Sequence, residues 1–258
     1  MLLCIDSGNT NIVFAVFDDN DTLRGQWRSS SHSERTADEF GVWLGQLMSA
    51  ADITTADITG CIIASVVPAS LFSLKALSRD YFGCEPKVIG DVGVDLGLGV
   101  LVDRPEGVGA DRLVNAVSAH RQYAGPLIIV DFGTATTFDV IDGDGNYAGG
   151  VIAPGINLSL EALHMAAAQL PRVAVERPDA VIGKGTVGAM QSGIYWGYVS
   201  MIEGIVARIQ DEFGADMRVI ATGGLAALFA GSMELIEAAD AELTLRGLYA
   251  IHRLNGGK

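Results

Sequence analysis

The chain has few basic residues and few cysteines, and it has no long apolar segment. Its 258 residues include 17 Lys and Arg against 31 Asp and Glu, a formal net charge of −14, which argues against nucleic acid or an anionic membrane as a partner. No stretch reaches the roughly 20 uninterrupted apolar residues that a membrane-spanning helix needs. The N-terminus also lacks the basic region of a signal peptide. An anionic ligand would have to be held by backbone N–H groups, a metal ion and a few placed cations.

The three cysteines, Cys4, Cys61 and Cys84, are odd in number and lie in apolar segments without the spacing of a metal site. We therefore expect buried free thiols and a cytoplasmic location. Hydrophobic residues make up 49% of the chain, which is enough for one large domain or two modest ones.

One short pattern occurs twice. Asp6 and Gly8 follow one apolar run, and Asp131 and Gly133 follow another 125 positions later (131 − 6 = 125). Each copy leads into a second apolar run, so the sequence predicts two β-hairpins that can face a phosphate, although a single Asp-x-Gly is usually an ordinary turn. The two aspartates could also supply oxygen ligands to a cation. Further donors to phosphate oxygens would be Asn9, Thr10, Asn11, Thr134, Thr136 and Thr137.

Strands and helices alternate along both halves, which indicates an α/β chain of two related domains with a nucleotide held between them. Strands are predicted near 2–6, 11–18, 23–29, 61–67, 127–132, 136–142, 146–153 and 217–221. Helices are predicted near 37–50, 68–82, 110–123, 156–168, 186–212, 224–230 and 242–254. The Gly-rich segment 90–109 is the best candidate for a functional loop.

Two other motifs suggest chemistry. Gly223 and Gly224 come between a strand and a helix, where a flat ring or ribose can lie on the backbone, so we expect adenosine there. Asp111 and Arg112 stand at a predicted helix start. An aspartate there is often only a capping residue, but beside a guanidinium it is also the leading candidate for a general base.

The motifs together resemble one family. They are Asp6 to Asn11, Gly109 to Arg112, Asp131 to Thr137, Gly149 to Gly155, Thr186 to Gly193 and Thr222 to Gly224. In this order they resemble the type III pantothenate kinases of the actin-like, sugar-kinase-like ATPase superfamily.

The resemblance implies two ribonuclease-H-like domains, 1–115 and 116–258, each a mixed sheet flanked by helices, with the nucleotide in the cleft between them. It implies a homodimer that transfers the γ-phosphoryl group of ATP to pantothenate, the first step of coenzyme A synthesis. ATP with Mg²⁺ and a monovalent cation, K⁺ or NH₄⁺, are the implied cofactors.

The resemblance also implies roles for single residues. Asp111 is the implied proton acceptor and Asp131 the implied potassium ligand. The implied ATP contacts are Asp6, Ser7, Gly8, Asn9, Thr10, Asn11, Ile12, Val13 and Thr134. The implied pantothenate contacts are Val102, Gly109, Ala110, Asp111, Arg112 and Thr186. The chain departs from the family at Val102, which is usually aromatic, and at Gly188, which is often Glu.

Two other functions fit the motifs. The chain could be an ATP-binding regulatory or accessory protein without turnover, but its retention of Asp6, Asp111, Arg112 and Asp131 argues against this. It could also be another kinase of the superfamily, acting on a sugar or an acetate-like acid. The short chain and the Gly109 to Arg112 element disfavour that alternative.

Overall fold

A computed structural model describes residues 1–32, 34–166 and 170–257. The chain divides into two compact units. The first contains Met1–Gly99, Asp103–Arg121 and Glu242–Lys258, and the second contains Val100–Val102 and Gln122–Ala241. None of the helices in the described ranges is long and apolar enough to cross a membrane. The domain boundary predicted between 115 and 116 stays a prediction.

The first unit is built on a five-stranded mixed sheet. Its strands are β1 (Leu2–Ser7), β2 (Asn11–Phe17), β3 (Leu23–Ser30), β4 (Gly60–Ser65) and β5 (Pro86–Val88). Its helices are α1 (Ala37–Ala50), α2 (Pro68–Phe82), α3 (Ala110–Gln122, with Gln122 assigned to the second unit) and α7 (Leu243–Leu254). The sheet order is β3-β2-β1-β4-β5. β1, β2 and β3 are antiparallel, whereas β4 runs parallel to β1 and β5 parallel to β4.

Helices cover both faces of this sheet. Leu3 and Ile5 of β1 pack in one cluster with side chains of α1 and α2. Leu2 and Cys4 pack in another with side chains of α3 and α7. The strand can therefore be a nearly continuous apolar run, as is typical of a strand buried on both faces. A Cβ at Gly247 of α7 would collide with the backbone of Val114, so α7 approaches α3 closely and fixes it on the sheet.

Local signals explain the helix ends. α1 begins with a capping box in which the backbone N–H of Thr36 donates to the Glu39 carboxylate at 2.8 Å, and Glu39 N–H donates to the Thr36 hydroxyl at 3.3 Å. α2 has Pro68 at its first position and ends at Gly83, whose φ of +63° suits glycine.

The second unit has the same sheet topology. Its strands are β6 (Leu127–Phe132), β7 (Ala135–Ile141), β8 (Tyr147–Pro154), β9 (Arg218–Gly223) and β10 (Ile236–Ala239). Its helices are α4 (Ile156–Ala166), α5 (Thr186–Phe213) and α6 (Ala226–Ala230). The sheet order β8-β7-β6-β9-β10 repeats the order of the first unit strand for strand. Side chains of α5 and α6 pack with β6, β7 and β9 in one core.

The repeat extends to single hydrogen bonds. After the fourth strand of each sheet, Val66 N–H donates to Ser7 O at 3.0 Å, and Gly224 N–H donates to Phe132 O at 3.2 Å. The fold class predicted from the sequence, α/β with two mixed sheets flanked by helices, is confirmed. Two short strands, β5 and β10, were not predicted. The helix predicted near 156–168 ends at Ala166 in the described range, and 167 and 168 lie outside the described residues.

Candidate active site

The first polar turn joins β1 to β2. Asp6 pairs in register with Val13 and with Ala64, so it stands at the end of a central strand. Gly8 N–H donates to Asn11 O at 3.0 Å and closes the turn. The residues of this turn differ in what they offer a ligand: Ser7 and Ile12 are buried, Asp6, Gly8 and Val13 are half-buried, and Asn9, Thr10 and Asn11 are exposed. Ser7 and Ile12 can therefore contact a ligand only through the backbone, whereas the exposed side chains can also donate from their polar groups.

The second element of the first unit is the start of α3. Gly109 O accepts the first helical hydrogen bonds, from Arg112 N–H at 3.1 Å and Leu113 N–H at 3.3 Å. Arg112 N–H also donates to the Asp111 carboxylate at 2.8 Å. A Cβ at Gly109 would lie 2.6 Å from Asp111 Oδ1, closer than real Cβ contacts. Glycine at 109 therefore leaves the space that the Asp111 carboxylate occupies.

The buried Asp6 carboxyl lies within electrostatic range of the Asp111 carboxylate. Burial and the nearby charge of Asp111 raise the pKa of Asp6 from 3.8 to about 7, and the charge of Arg28 opposes this rise. Burial also raises the pKa of Asp111, against the hydrogen bond from Arg112 N–H and the charge of the Arg112 guanidinium. Two carboxylates that repel one another favour a bound cation between them or a proton on one of them.

The second polar turn lies in the second unit and joins β6 to β7. Asp131 pairs with Thr137 and Thr222 and is half-buried, while Gly133 and Thr134 are exposed. A Cβ at Gly155, just before α4, would collide with the backbone of Thr134. The turn is therefore held against the start of α4.

Thr136 does not match its expected role. It was expected to donate to a phosphate, but it is fully buried in β7, and its hydroxyl has no hydrogen-bond partner among the described residues. Its neighbour Thr137 instead donates to the buried Asp139 carboxylate at 3.3 Å.

Gly223 and Gly224 end β9 beside Asp131. Gly223 has φ +89°, and a Cβ there would collide with Asp131 Oδ1 and lie 2.7 Å from Phe132 O. Gly224 is exposed and has open space around it. Gly223 is thus required by the Asp131 turn itself, and Gly224 leaves a bare stretch of backbone before α6.

The remaining expected substrate contacts, Val102 and Thr186, also belong to the second unit. Val102 is half-buried and would lie 3.9 Å from a Cβ at Gly149. Thr186 is exposed at the first position of α5. It lines a pocket of about 610 Å³ with Leu163, Leu170, Ala189, Met190, Gly193 and Ile194.

The first unit thus brings together the Asp6 turn and the Gly109 to Arg112 element, and the second brings together Asp131, Gly223 and Gly224. Two residues near these groups were not identified from the sequence. The charge of Arg28 on β3 lowers the pKa of the Asp6 carboxyl. Asp139 is fully buried and accepts a hydrogen bond from Tyr147 Oη at 2.9 Å. The alternation of exposed residues along β3 could have marked Arg28 as facing the Asp6 side, but only with the strand register known.

Solved structures share this fold. A protein from Sinorhizobium meliloti with the proposed activity of a 2-dehydro-3-deoxygalactonokinase superposes with a TM-score of 0.63 at 16% identity, over 98% of this chain and 96% of that chain. The activator of the 2-hydroxyisocaproyl-CoA dehydratase from Clostridium difficile, solved with bound ADPNP, superposes with a TM-score of 0.53 at 12% identity, over 99% and 96%. These likenesses place the chain in the class of proteins with the actin-like ATPase fold.

Sequence comparison identifies the family within this class. The family model for type III pantothenate kinase matches residues 2–208. The type III pantothenate kinase of Paramagnetospirillum magneticum is 70% identical over 99% of this chain and 98% of its own length. That of Rhodospirillum rubrum is 64% identical over 99% of both chains. The chain belongs to the type III pantothenate kinase family, and as such it uses ATP with a divalent metal ion.

Proposed function

We propose that this chain transfers the γ-phosphoryl group of ATP to the terminal hydroxyl of pantothenate, the first step of coenzyme A synthesis. The observation that carries the proposal, within a chain of this family, is the Asp111 carboxylate at the start of α3, electrostatically coupled to the Asp6 turn. Phosphoryl transfer requires positioning, neutralisation of charge and a base beside the nucleophile, and these two elements offer all three.

ATP phosphates bind to the turn that contains residues 6 to 13. Backbone N–H groups there, the missing side chain at Gly8 and the exposed side chains of Asn9, Thr10 and Asn11 form a polar phosphate site without a lysine. In the second unit, Thr134 is a further ATP contact. Gly223 and Gly224 lie along the adenosine, because the bare backbone at Gly224 admits a flat ring.

The acidic residues fit Mg²⁺ that arrives with ATP. Asp6 and Asp111 are hard oxygen donors. Burial and the charge of Asp111 raise the pKa of Asp6, so a divalent cation would relieve the cost of the charged Asp6 carboxylate. When bound, Mg²⁺ would supply neutralisation of phosphate charge. Asp6 would hold it, through its own oxygen or through bound water.

Asp111 is the general base and accepts the proton of the pantothenate hydroxyl. Its raised pKa makes it a better base than an exposed aspartate, and its hydrogen bond from Arg112 N–H fixes the carboxylate orientation. Gly109, Ala110 and Arg112 contact pantothenate around it, the guanidinium opposite the pantothenate carboxylate. In the second unit, Val102 and Thr186 complete the pantothenate contacts.

A monovalent cation, K⁺ or NH₄⁺, binds at Asp131. Among the described residues no group of three or more His, Cys, Asp or Glu side chains could hold a metal ion, so the carboxylate would share its cation with neutral oxygens. The carbonyl of Phe132 and the space left by the missing side chain of Gly223 support this position. A singly charged ion suits such a donor set, because one carboxylate balances its charge.

We further propose that the enzyme is a cytoplasmic homodimer. Large apolar side chains are exposed on α4 and at the start of α5, with Leu158 55%, Met165 76% and Val187 48% exposed. α4 and α5 pack together through Ser159 and Tyr198, whose hydroxyls are 2.7 Å apart, so these side chains belong to neighbouring helices. Burial against a second copy would remove this apolar area from water. The three free cysteines suit a reducing compartment.

The test is direct. Purified protein with ATP, Mg²⁺ and K⁺ is expected to convert pantothenate to 4′-phosphopantothenate, and a preparation that binds ATP without forming this product would point to the accessory protein instead. Asp111→Asn is expected to lower kcat by roughly 10²- to 10⁴-fold with little change in ATP binding. Replacement of K⁺ by a large organic cation is expected to reduce the rate. If the rate is indifferent to this replacement, Asp131 has no cation role.

A further inference from the structure

Arg28 lies in the same row of the first sheet as Asp6. Asp6 pairs with Val13 of β2, and Val13 pairs with Arg28 of β3. Side chains directly opposite one another in neighbouring strands point to the same face of the sheet. The row Asp6, Val13, Arg28 therefore places a guanidinium on the face from which the Asp6 carboxyl projects, two strand spacings or about 10 Å of backbone away.

The strand that bears Arg28 is bonded to the polar turn. Asn11 pairs with Ser30, and Ser31 N–H donates to Thr10 O at 2.9 Å. The end of β3 is thus fixed to the residues proposed to hold the ATP phosphates. The lowering effect of Arg28 on the pKa of Asp6 is consistent with this proximity.

Arg28 is exposed, and no hydrogen bond or ion pair engages its side chain within the described part of the chain. Arg24, four residues earlier on the same strand, lies 3.6 Å from the Asp18 carboxylate in an exposed ion pair. The two arginines of β3 therefore differ, because Arg24 forms an ion pair with Asp18, whereas Arg28 forms none with any described residue and lies on the Asp6 face of the sheet.

The second unit provides an internal comparison. There the corresponding row is Asp131, Thr137, Ile152, and Ile152 is 65% exposed. The same backbone position on the third strand is thus cationic beside the turn proposed for ATP phosphates and apolar beside the turn proposed for a cation. An arginine is not a requirement of the hairpin itself, since the repeat forms the same strands without one.

Building on the proposed function, we propose that Arg28 binds the γ-phosphate of ATP on the first unit and helps to hold the phosphoryl group for transfer. Asp111 is the proton acceptor, so the reacting phosphate must lie beside the Asp6 and Asp111 pair, which is the side that Arg28 faces. A guanidinium can donate two hydrogen bonds to phosphate oxygens and offset the charge that spreads over them during transfer. A charged residue on β3 also prevents the edge strand from pairing with other chains. If this were the role of Arg28, its replacement would not change nucleotide affinity.

The experiment compares Arg28→Gln with Arg24→Gln, which removes the same charge from the same strand. In Mg²⁺ buffer, affinities for ADP and for the non-hydrolysable analogue adenylyl imidodiphosphate are measured by calorimetry, with kcat and KM for ATP measured alongside. Arg28→Gln is expected to weaken analogue binding roughly 10- to 100-fold while ADP binding stays within about twofold. Arg28→Lys is expected to recover part of the loss, and Arg24→Gln to match the wild type.

Two outcomes would overturn the inference. In the first, Arg28→Gln has the same ratio of analogue affinity to ADP affinity as the wild type, which would mean that Arg28 only protects the edge strand. The second is an equal loss for both nucleotides, which would mean that the γ-phosphate is not its ligand. The two proposals can fail separately. If the wild type does not phosphorylate pantothenate but Arg28→Gln loses the preference for the analogue over ADP, the proposed acceptor is wrong and the Arg28 contact with the γ-phosphate is supported.

Discussion

Gly109→Ala should separate the position of the Asp111 carboxylate from the stability of the fold. The new methyl group would lie 2.6 Å from Asp111 Oδ1 and 3.5 Å from Val66 Cγ1. The close atom is the end of a side chain, so the carboxylate can rotate or shift to make room for the methyl group. The cost to folding is then small, but the Asp111 carboxylate leaves its position.

A shift of about 1 Å in a positioned group can lower a rate by roughly 10²-fold. We therefore expect Gly109→Ala to reduce kcat with pantothenate by about two orders of magnitude, with the free energy of unfolding within about 1 kcal/mol of its control. That control is Gly107→Ala in the same loop, where the nearest atom to an added Cβ is Arg104 Cβ at 4.0 Å. The assay is steady-state formation of 4′-phosphopantothenate, with denaturant unfolding of both variants.

The two results can contradict the reasoning in different ways. A kcat for Gly109→Ala within twofold of Gly107→Ala would mean that the Asp111 orientation is not limiting, and the assignment of Asp111 as the base would lose its support. A large loss of stability in Gly109→Ala alone would mean that the glycine serves the fold of the loop rather than the carboxylate.

Three further predictions concern buried or strained groups. The pKa of Asp6 is raised from 3.8 to about 7 in the folded protein, so its contribution to stability is present below pH 4 and is lost as pH rises to 7. Without ligand, Asp6→Asn should therefore be more stable than the wild type at pH 8, by at most about 4 kcal/mol, and equally stable near pH 4. Burial and the charges of Lys87 and Arg253 lower the pKa of His252 from 6.5 to about 4. The stability that neutral His252 provides above pH 6.5 should therefore be lost as pH falls toward 4, by at most about 3 kcal/mol. In His252→Leu the free energy of unfolding should not show this fall. Gly223→Ala should cost about 2 kcal/mol or more, because φ is +89° and the methyl group meets Phe132 O, whereas Gly224→Ala should cost little.

Urea unfolding across pH measures the first two, and unfolding at one pH measures the third. A stabilising effect of Asp6→Asn that is the same at pH 4 and pH 8 would not come from this carboxyl. If the free energy of unfolding of His252→Leu falls between pH 6.5 and pH 4 as it does in the wild type, the fall comes from other groups. Equal stability of the two glycine variants would mean that the β9 turn relaxes to accept a side chain.

The local motifs could be found from the sequence because each lies within a few residues. An apolar run that ends in Asp-x-Gly marks a strand and its turn, and Asp111 stands two residues after a glycine at a helix start. The coupling of Asp6 with Asp111 spans 105 positions (111 − 6 = 105) and exists because α3 packs on the face from which Asp6 projects. The sequence spacing does not show on which face of the sheet α3 packs.

Register accounts for most of what could not be predicted. β5 has three residues and β10 has four, too few for a periodic pattern, and each takes its place from the parallel strand beside it. Arg28 looks like any charge on an exposed strand until Val13 connects it with Asp6. Thr136 was expected at the phosphate because it is close in sequence to Gly133, but its place in β7 buries its hydroxyl.

The two hairpins share one backbone arrangement but differ in the side chains around it. Asp6 and Asp131 end equivalent strands, but the residue two strands away is Arg28 in one unit and Ile152 in the other. The neighbour after the fourth strand also differs, because Val66 follows β4 where Gly224 follows β9. A cationic side chain beside Asp6 favours a ligand that carries both Mg²⁺ and phosphate. At Asp131 the missing side chain of Gly223 lets carboxylate and carbonyl oxygens converge, the arrangement proposed above to hold a lone cation. The aspartate is therefore common to both turns, and the side chains of the neighbouring strands are what distinguish the two proposed sites.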